Sequence, residues 1–149
     1  MQAKGGKVMI IAVDFDGTIV EHKYPKIGKE IPFAIETLKK LQSDNHKLIL
    51  WTVREDELLE EAVNFCKDRG LKFYAINSNY PEEKDSHNHF SRKLKADLFI
   101  DDRNIGGLPD WGTIYRMVKE KLTYEDIYSH MDELNENIKR KTFISRLFG

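Results

Sequence analysis

The stretch Val8 to Thr18, VMIIAVDFDGT, constrains this chain more than any other. It is apolar and rich in β-branched residues as far as Val13. It then breaks into two carboxylates two residues apart, Asp14 and Asp16, followed by Gly17 and Thr18. An apolar run of strand length reads as a strand buried on both faces, the mark of a parallel sheet covered by helices. Ligands of such sheets gather outside the carboxyl ends of the strands, where Asp14 and Asp16 fall. Gly17 lets the chain turn sharply, so both carboxylates can face one pocket despite the alternation of a strand. An isolated Asp-x-Asp usually means two solvated side chains opening a turn. The buried strand before this one and the Gly-Thr after it favour a functional site.

The rest of the chain alternates in the same way. Pro32 suits the first turn of a helix, and Ile31, Ala34, Ile35, Leu38 and Leu41 give that helix one apolar stripe. Residues 43–46 turn the chain, with His46 expected to be exposed. Lys47 to Thr52 is a second buried strand, and Glu55 to Arg69 a second amphipathic helix that Gly70 closes. A third strand, Leu71 to Ile76, leads into a polar loop reaching about Phe90, long enough to suggest function. Leu98 to Ile100 is a fourth strand, and it too ends in a carboxylate pair, Asp101-Asp102. Asp110 is placed to cap a helix from Trp111 to about Leu122.

This alternation implies right-handed crossovers and a Rossmann-like α/β fold, a central parallel sheet with helices on both faces. Residues 1–149 read as a single domain, with 1–7 a lead-in and 123–149 an appended helix. Thr123 and Asp126 form a capping signal for that helix, and Ile127, Met131, Leu134 and Ile138 recur along it at helical spacing. Its basic, apolar end is expected to dock on the domain first, and to join a second copy of the chain in a homo-oligomer next.

Paired carboxylates at a strand end have a chemical logic. One can attack a phosphorus centre and become an aspartyl-phosphate. The other can protonate the leaving group and then activate water. Anions so close repel each other and a phosphate, so a hard divalent cation is needed, and Mg²⁺ held by one or two carboxylates and substrate oxygens is the usual solution.

Asp14-Phe15-Asp16-Gly17-Thr18 resembles the first motif of the haloacid dehalogenase (HAD) superfamily, in the form found in its phosphatase and phosphotransferase branches. Thr52 at the end of the second strand resembles the second motif, the basic segment Arg92-Lys93-Leu94-Lys95 the third, and Asp101-Asp102 the acidic fourth. By that resemblance Asp14 is the nucleophile and Asp16 the general acid and base. Thr52 and Lys93 hold phosphate oxygens, Lys93 ranking ahead of Arg92 and Lys95. The Asp14 carboxylate, the Asp16 backbone carbonyl and Asp101 bind Mg²⁺ directly, while Asp102 binds it through water or orients Lys93, which pairs with Asp14. Arg54 either grips substrate or pairs with Glu55 or Asp56. The resemblance implies a Mg²⁺-dependent phosphatase for a small phosphorylated substrate. Neither 17–30 nor 77–90 leaves room for a large cap domain, so a small flap of Ile19, Val20, Tyr24 and Ile27 is expected instead.

Composition narrows the alternatives. A formal net charge of −1 over 149 residues gives no support for a nucleic-acid track, although a phosphate on a polynucleotide end or a phosphoprotein remains an alternative substrate. A second alternative is a module that senses phosphate or a nucleotide with little turnover. No run is long enough for a transmembrane segment and no secretory leader is evident, so a cytoplasmic protein is expected. The single Cys66 lies in a helical apolar pattern and reads as a buried thiol. His87 and His89 lack a third ligand at a recognised spacing and read as loop residues rather than a metal site.

Overall fold

The first apolar run forms β1 (Ile10–Val13), which pairs in parallel with β2 (Lys47–Leu50) on one side and β4 (Leu98–Ile100) on the other; β3 (Ala75–Ile76) extends the sheet beyond β2. The computed structural model describes residues 6–83 and 91–148. The strand order is β3-β2-β1-β4, a four-stranded parallel sheet. Helices flank it: α1 (Ala34–Ser43) joins β1 to β2, and α2 (Asp56–Asp68) joins β2 to β3. After β4 come α3 (Trp111–Glu120) and α4 (Tyr124–Phe148). The expected α/β class is the observed one.

Both faces of the sheet are covered, as the unbroken apolar runs require. Ala12, Ile49 and Ala75 lie side by side in register and pack with Leu94 into one core cluster. Their neighbours along the strands, Ile11, Val13, Leu48 and Leu50, point the other way and are equally buried. Burial on both sides at about 25 cal/mol per Å² of apolar surface is what holds strands this short in place.

The regular elements are shorter than their apolar runs. The third strand keeps only Ala75 and Ile76 of the run beginning at Leu71, because Leu71 completes the end of α2. There Gly70 (φ 79°) adopts the left-handed conformation, its N–H donating to Lys67 O and that of Leu71 to Cys66 O. Pro32 sits outside α1, whose first turn follows Phe33 (φ 65°). His46 is half-buried rather than exposed: its Nδ1 accepts the Met9 N–H at 3.2 Å, tying the entrance of β1 to that of β2. Ile19 and Val20 are fully buried core residues, so of the four flap candidates only Tyr24 and Ile27 have accessible surface.

The chain divides into two compact units, Met1–Tyr115 and Arg116–Gly149, the division falling inside α3. The first carries the sheet and every candidate site residue. In the second, Thr123 and Asp126 cap α4 reciprocally, Asp126 Oδ2 accepting the Thr123 N–H at 2.6 Å and Thr123 Oγ1 that of Asp126 at 3.3 Å. Along α4, Met131, Leu134, Ile138 and Phe143 are all exposed. Among the described residues no helix is long and apolar enough to cross a membrane.

A methyl group at Gly70 would force an ordinary residue into the left-handed region. Gly70→Ala is therefore expected to lower unfolding stability by about 1 kcal/mol, read as a shift of the urea midpoint; an unchanged midpoint would remove the glycine from the account of where α2 ends.

Candidate active site

The strand order places the site. From β1 the chain steps to β2 and then β3 in one direction, and β4 returns to the opposite side of β1. The crossover direction therefore reverses between β1 and β4, the position at whose carboxyl ends open α/β sheets place their ligands. The two carboxylate pairs of the sequence emerge at these two ends. The Asp14 N–H still donates to Ile100 O at 2.9 Å, continuing the ladder one residue past β1. Oxygens of Asp14, Asp101 and Asp102 lie within 4.8 Å of one another.

Three residues behind the carboxylates fix this convergence. Gly17 (φ 87°) lies under Asp102, and a Cβ at that position would run into the Asp102 carboxylate. Thr18 is fully buried; its hydroxyl donates to Asp14 Oδ2 at 3.1 Å and accepts the Asp102 N–H at 3.1 Å, joining the end of β1 to the end of β4. Trp111 Nε1 donates to Thr18 O at 3.2 Å, so the first turn of α3 braces the same residue. Asp110 caps that turn as expected, through the N–H and hydroxyl of Thr113 at 3.0 and 2.7 Å.

Among the described residues no cationic side chain forms an ion pair with the triad. Burial pushes the Asp14 carboxyl up to about 7, against hydrogen bonds from Phe15 N–H and Thr18, and the charges of Asp101 and Asp102 push the same way as burial. Asp102 Oδ1 is buried without a hydrogen-bond partner. A buried carboxylate oxygen with no donor is costly unless something cationic meets it. Three hard oxygen donors in this spacing fit a divalent cation such as Mg²⁺, which needs few protein ligands and keeps several waters.

Asp16 stands outside the triad. Both its oxygens are taken by Arg54, Nε to Oδ2 and Nη2 to Oδ1, each at 2.7 Å, in the two-pronged geometry that suits a guanidinium to a carboxylate. Arg54 is fully buried, and its remaining bonds go to Pro25 O and Lys26 O, both at 3.0 Å. It pairs with neither Glu55 nor Asp56, and a side chain so enclosed presents no surface to a ligand. The structure gives it a role that local sequence did not suggest: it fixes the second carboxylate of the motif and the loop following β1. Its charge lies against two aromatic rings, Phe15 at 5.2 Å and Tyr24 at 5.4 Å from their centroids.

Thr52 follows β2 with its N–H bonded to Asn77 Oδ1 at 2.8 Å and its hydroxyl accepting the Arg54 N–H at 3.2 Å. A hydroxyl that accepts from the backbone keeps its own proton to donate. Asn77 (φ 49°) was not singled out in the sequence; an Asn directly after a strand, a residue tolerant of that conformation, is the signal that marks it. Lys93 and Lys95 are exposed on either side of buried Leu94, which packs into the core cluster. Lys93 makes no ion pair with a described carboxylate, so the structure does not bring it to Asp102 or Asp14. Arg92 is likewise exposed. His87 and His89 lie outside the described residues.

Comparison with known proteins gives two relatives. A solved structure of a conserved protein from Bacteroides thetaiotaomicron is 70% identical, with a TM-score of 0.78 over 82% of this chain and 98% of that one. A Bacillus cereus protein named "Putative nucleotidase" is 26% identical over 86 residues, 58% of this chain. The chain spans 46% of that curated relative's length. No protein-family model matches the chain.

Two outcomes follow from this geometry. Arg54→Met leaves the Asp16 carboxylate enclosed without its partner and is expected to cost about 3–5 kcal/mol of unfolding free energy, whereas Asp16→Asn with Arg54→Met costs less than the sum of the two single changes; additivity in that double-mutant cycle would mean that the pair is not coupled. In chelator, stability is expected to fall as pH rises from about 4 to about 7, because folded Asp14 keeps a proton that the unfolded chain releases near 3.8. Denaturant melts of Asp14→Asn should lack that part of the slope.

Proposed function

We propose that this chain, which belongs to the same family as the conserved Bacteroides thetaiotaomicron protein, is a Mg²⁺-dependent phosphohydrolase that cleaves phosphate monoesters through an aspartyl-phosphate on Asp14. One observation carries the reading: three carboxylates with no ion-pair partner among the described residues converge at the reversal point of the sheet, beside a fourth that Arg54 holds apart from them. The Bacillus cereus relative's name supports a phosphate-ester hydrolase in general and puts nucleotides among the substrates to test.

Asp14, Asp101 and Asp102, with the Asp16 backbone carbonyl, would hold the cation, whose charge would offset that of the triad and of the phosphoryl oxygens. Asp14 attacks phosphorus and the bond to the ester oxygen breaks; Asp16, which enters this step protonated on a lone pair that Arg54 leaves free, gives that oxygen its proton and is left as the carboxylate. Asp16 then takes a proton from water, whose oxygen attacks phosphorus and releases phosphate from Asp14. Arg54 bonds the two Asp16 oxygens from one side. Each oxygen keeps a second lone pair for this proton exchange. Thr52 supplies a hydroxyl donor at the next strand end, suited to a non-transferring phosphate oxygen. Lys93 would reach the site from its exposed position only as substrate binds.

Hydrolysis of an aryl phosphate should appear with Mg²⁺, vanish in EDTA, and fall on the order of a thousandfold or more in Asp14→Asn. Full metal-dependent turnover by that variant would sink the covalent mechanism.

A further inference from the structure

Tyr24 serves none of the steps above, yet its ring lies against the guanidinium that holds Asp16. It lies in the loop following β1 and is 47% exposed. The Arg54 guanidinium sits 5.4 Å from its ring centroid and also holds the carbonyls of Pro25 and Lys26, the two residues that follow it. The other ring on that guanidinium, Phe15, is fully buried and stacks edge-on against Phe65. One cation thus carries an inner ring that belongs to the core and an outer ring that faces water.

The position of the outer ring matters because Arg54 is also the partner of Asp16. In the proposed reaction Asp16 exchanges a proton with the leaving oxygen, so the leaving group emerges on the Asp16 side, one guanidinium away from Tyr24. Apolar side chains also stand on neighbouring loops at this end of the sheet. Val53, between Thr52 and Arg54, is 75% exposed, and Ile105, just past the Asp101-Asp102 pair, is fully exposed. A small polar leaving group such as glycerol would leave all of this apolar surface wet. A flat ring would cover it, and an aromatic side chain already fixed by a cation loses little freedom on stacking.

We propose that Tyr24 is a substrate-binding residue, the platform for an aromatic ring in the leaving group, and that the enzyme's substrates are phosphate monoesters carrying such a ring. This rests on the phosphohydrolase reading for the placement of the leaving group. The ring can be joined directly to the ester oxygen, as in an aryl phosphate, or spaced from it by a sugar, as in a nucleoside 5′-monophosphate.

The test is chosen to be independent of turnover. Binding of phenylphosphonate and methylphosphonate, and of the phosphonate analogues of 5′-AMP and ribose 5-phosphate, none of which has a P–O ester bond to hydrolyse, is measured by calorimetry with Mg²⁺ on the full chain. The wild type should prefer the ring-bearing member of at least one pair by about tenfold. Tyr24→Ser should bring that ratio close to one, and Tyr24→Phe should keep it. The pair that shows the preference identifies how the ring is attached. A wild-type ratio near one in both pairs overturns the proposal, as does a ratio that survives Tyr24→Ser. Absence of metal-dependent hydrolysis, with the Tyr24-dependent binding preference intact, would instead overturn the phosphohydrolase reading and leave the platform standing.

Discussion

A guanidinium with no exposed surface must be met by charge and by hydrogen-bond acceptors, and Arg54 is met by both. Its partners come from two parts of the chain far from it in sequence, the Asp-x-Asp motif and the loop that follows it. Taking the pair out of water costs several kcal/mol per ion before any attraction is counted, so the bond is poor evidence of stability by itself. Its effect is on position. With both oxygens fixed, Asp16 cannot swing into the triad, and the loop following β1 cannot settle without the carbonyls of Pro25 and Lys26 finding other donors.

The separation of the two motif carboxylates follows from this bond. Asp14 continues the β1 ladder and faces Asp101 and Asp102, held by the buried Thr18 hydroxyl. Asp16, two residues later, is drawn the other way by Arg54. One short sequence therefore delivers one carboxylate to an electron-rich centre and another to a cationic one. The backbone that allows it turns at Gly17, beneath Asp102, where no side chain would fit.

Much of this was legible in the sequence. The apolar runs of β1 and β2 announced strands buried on both faces, and the carboxylates that follow β1 and β4 announced a candidate site, whereas β4 itself is only partly buried, with Leu98 exposed. Asp110 and the Thr123–Asp126 pair declared their caps because capping is a local interaction. The misses were nonlocal. Arg54 looked as though it would pair with its neighbours Glu55 or Asp56, and nothing nearby signals a partner 38 residues upstream. Ile19 and Val20 read as a flap, since they follow Gly-Thr in what looks like a loop; they are buried because the chain folds back there, Ile31 N–H bonding Ile19 O. The third run overestimated its strand, because an apolar residue at the end of a helix is indistinguishable by periodicity from the first residue of the next strand.

Cys66 is the sole cysteine of the chain, and its thiol sits within α2 with no exposed surface. Desolvation pushes it up to about 12, so at neutral pH it carries almost no thiolate. Peroxides and thiol-directed reagents act on the thiolate and need access to it. The one thiol of the folded molecule is therefore silent toward them, and a cysteine introduced on its surface would be the one thiol that a spectroscopic label could find.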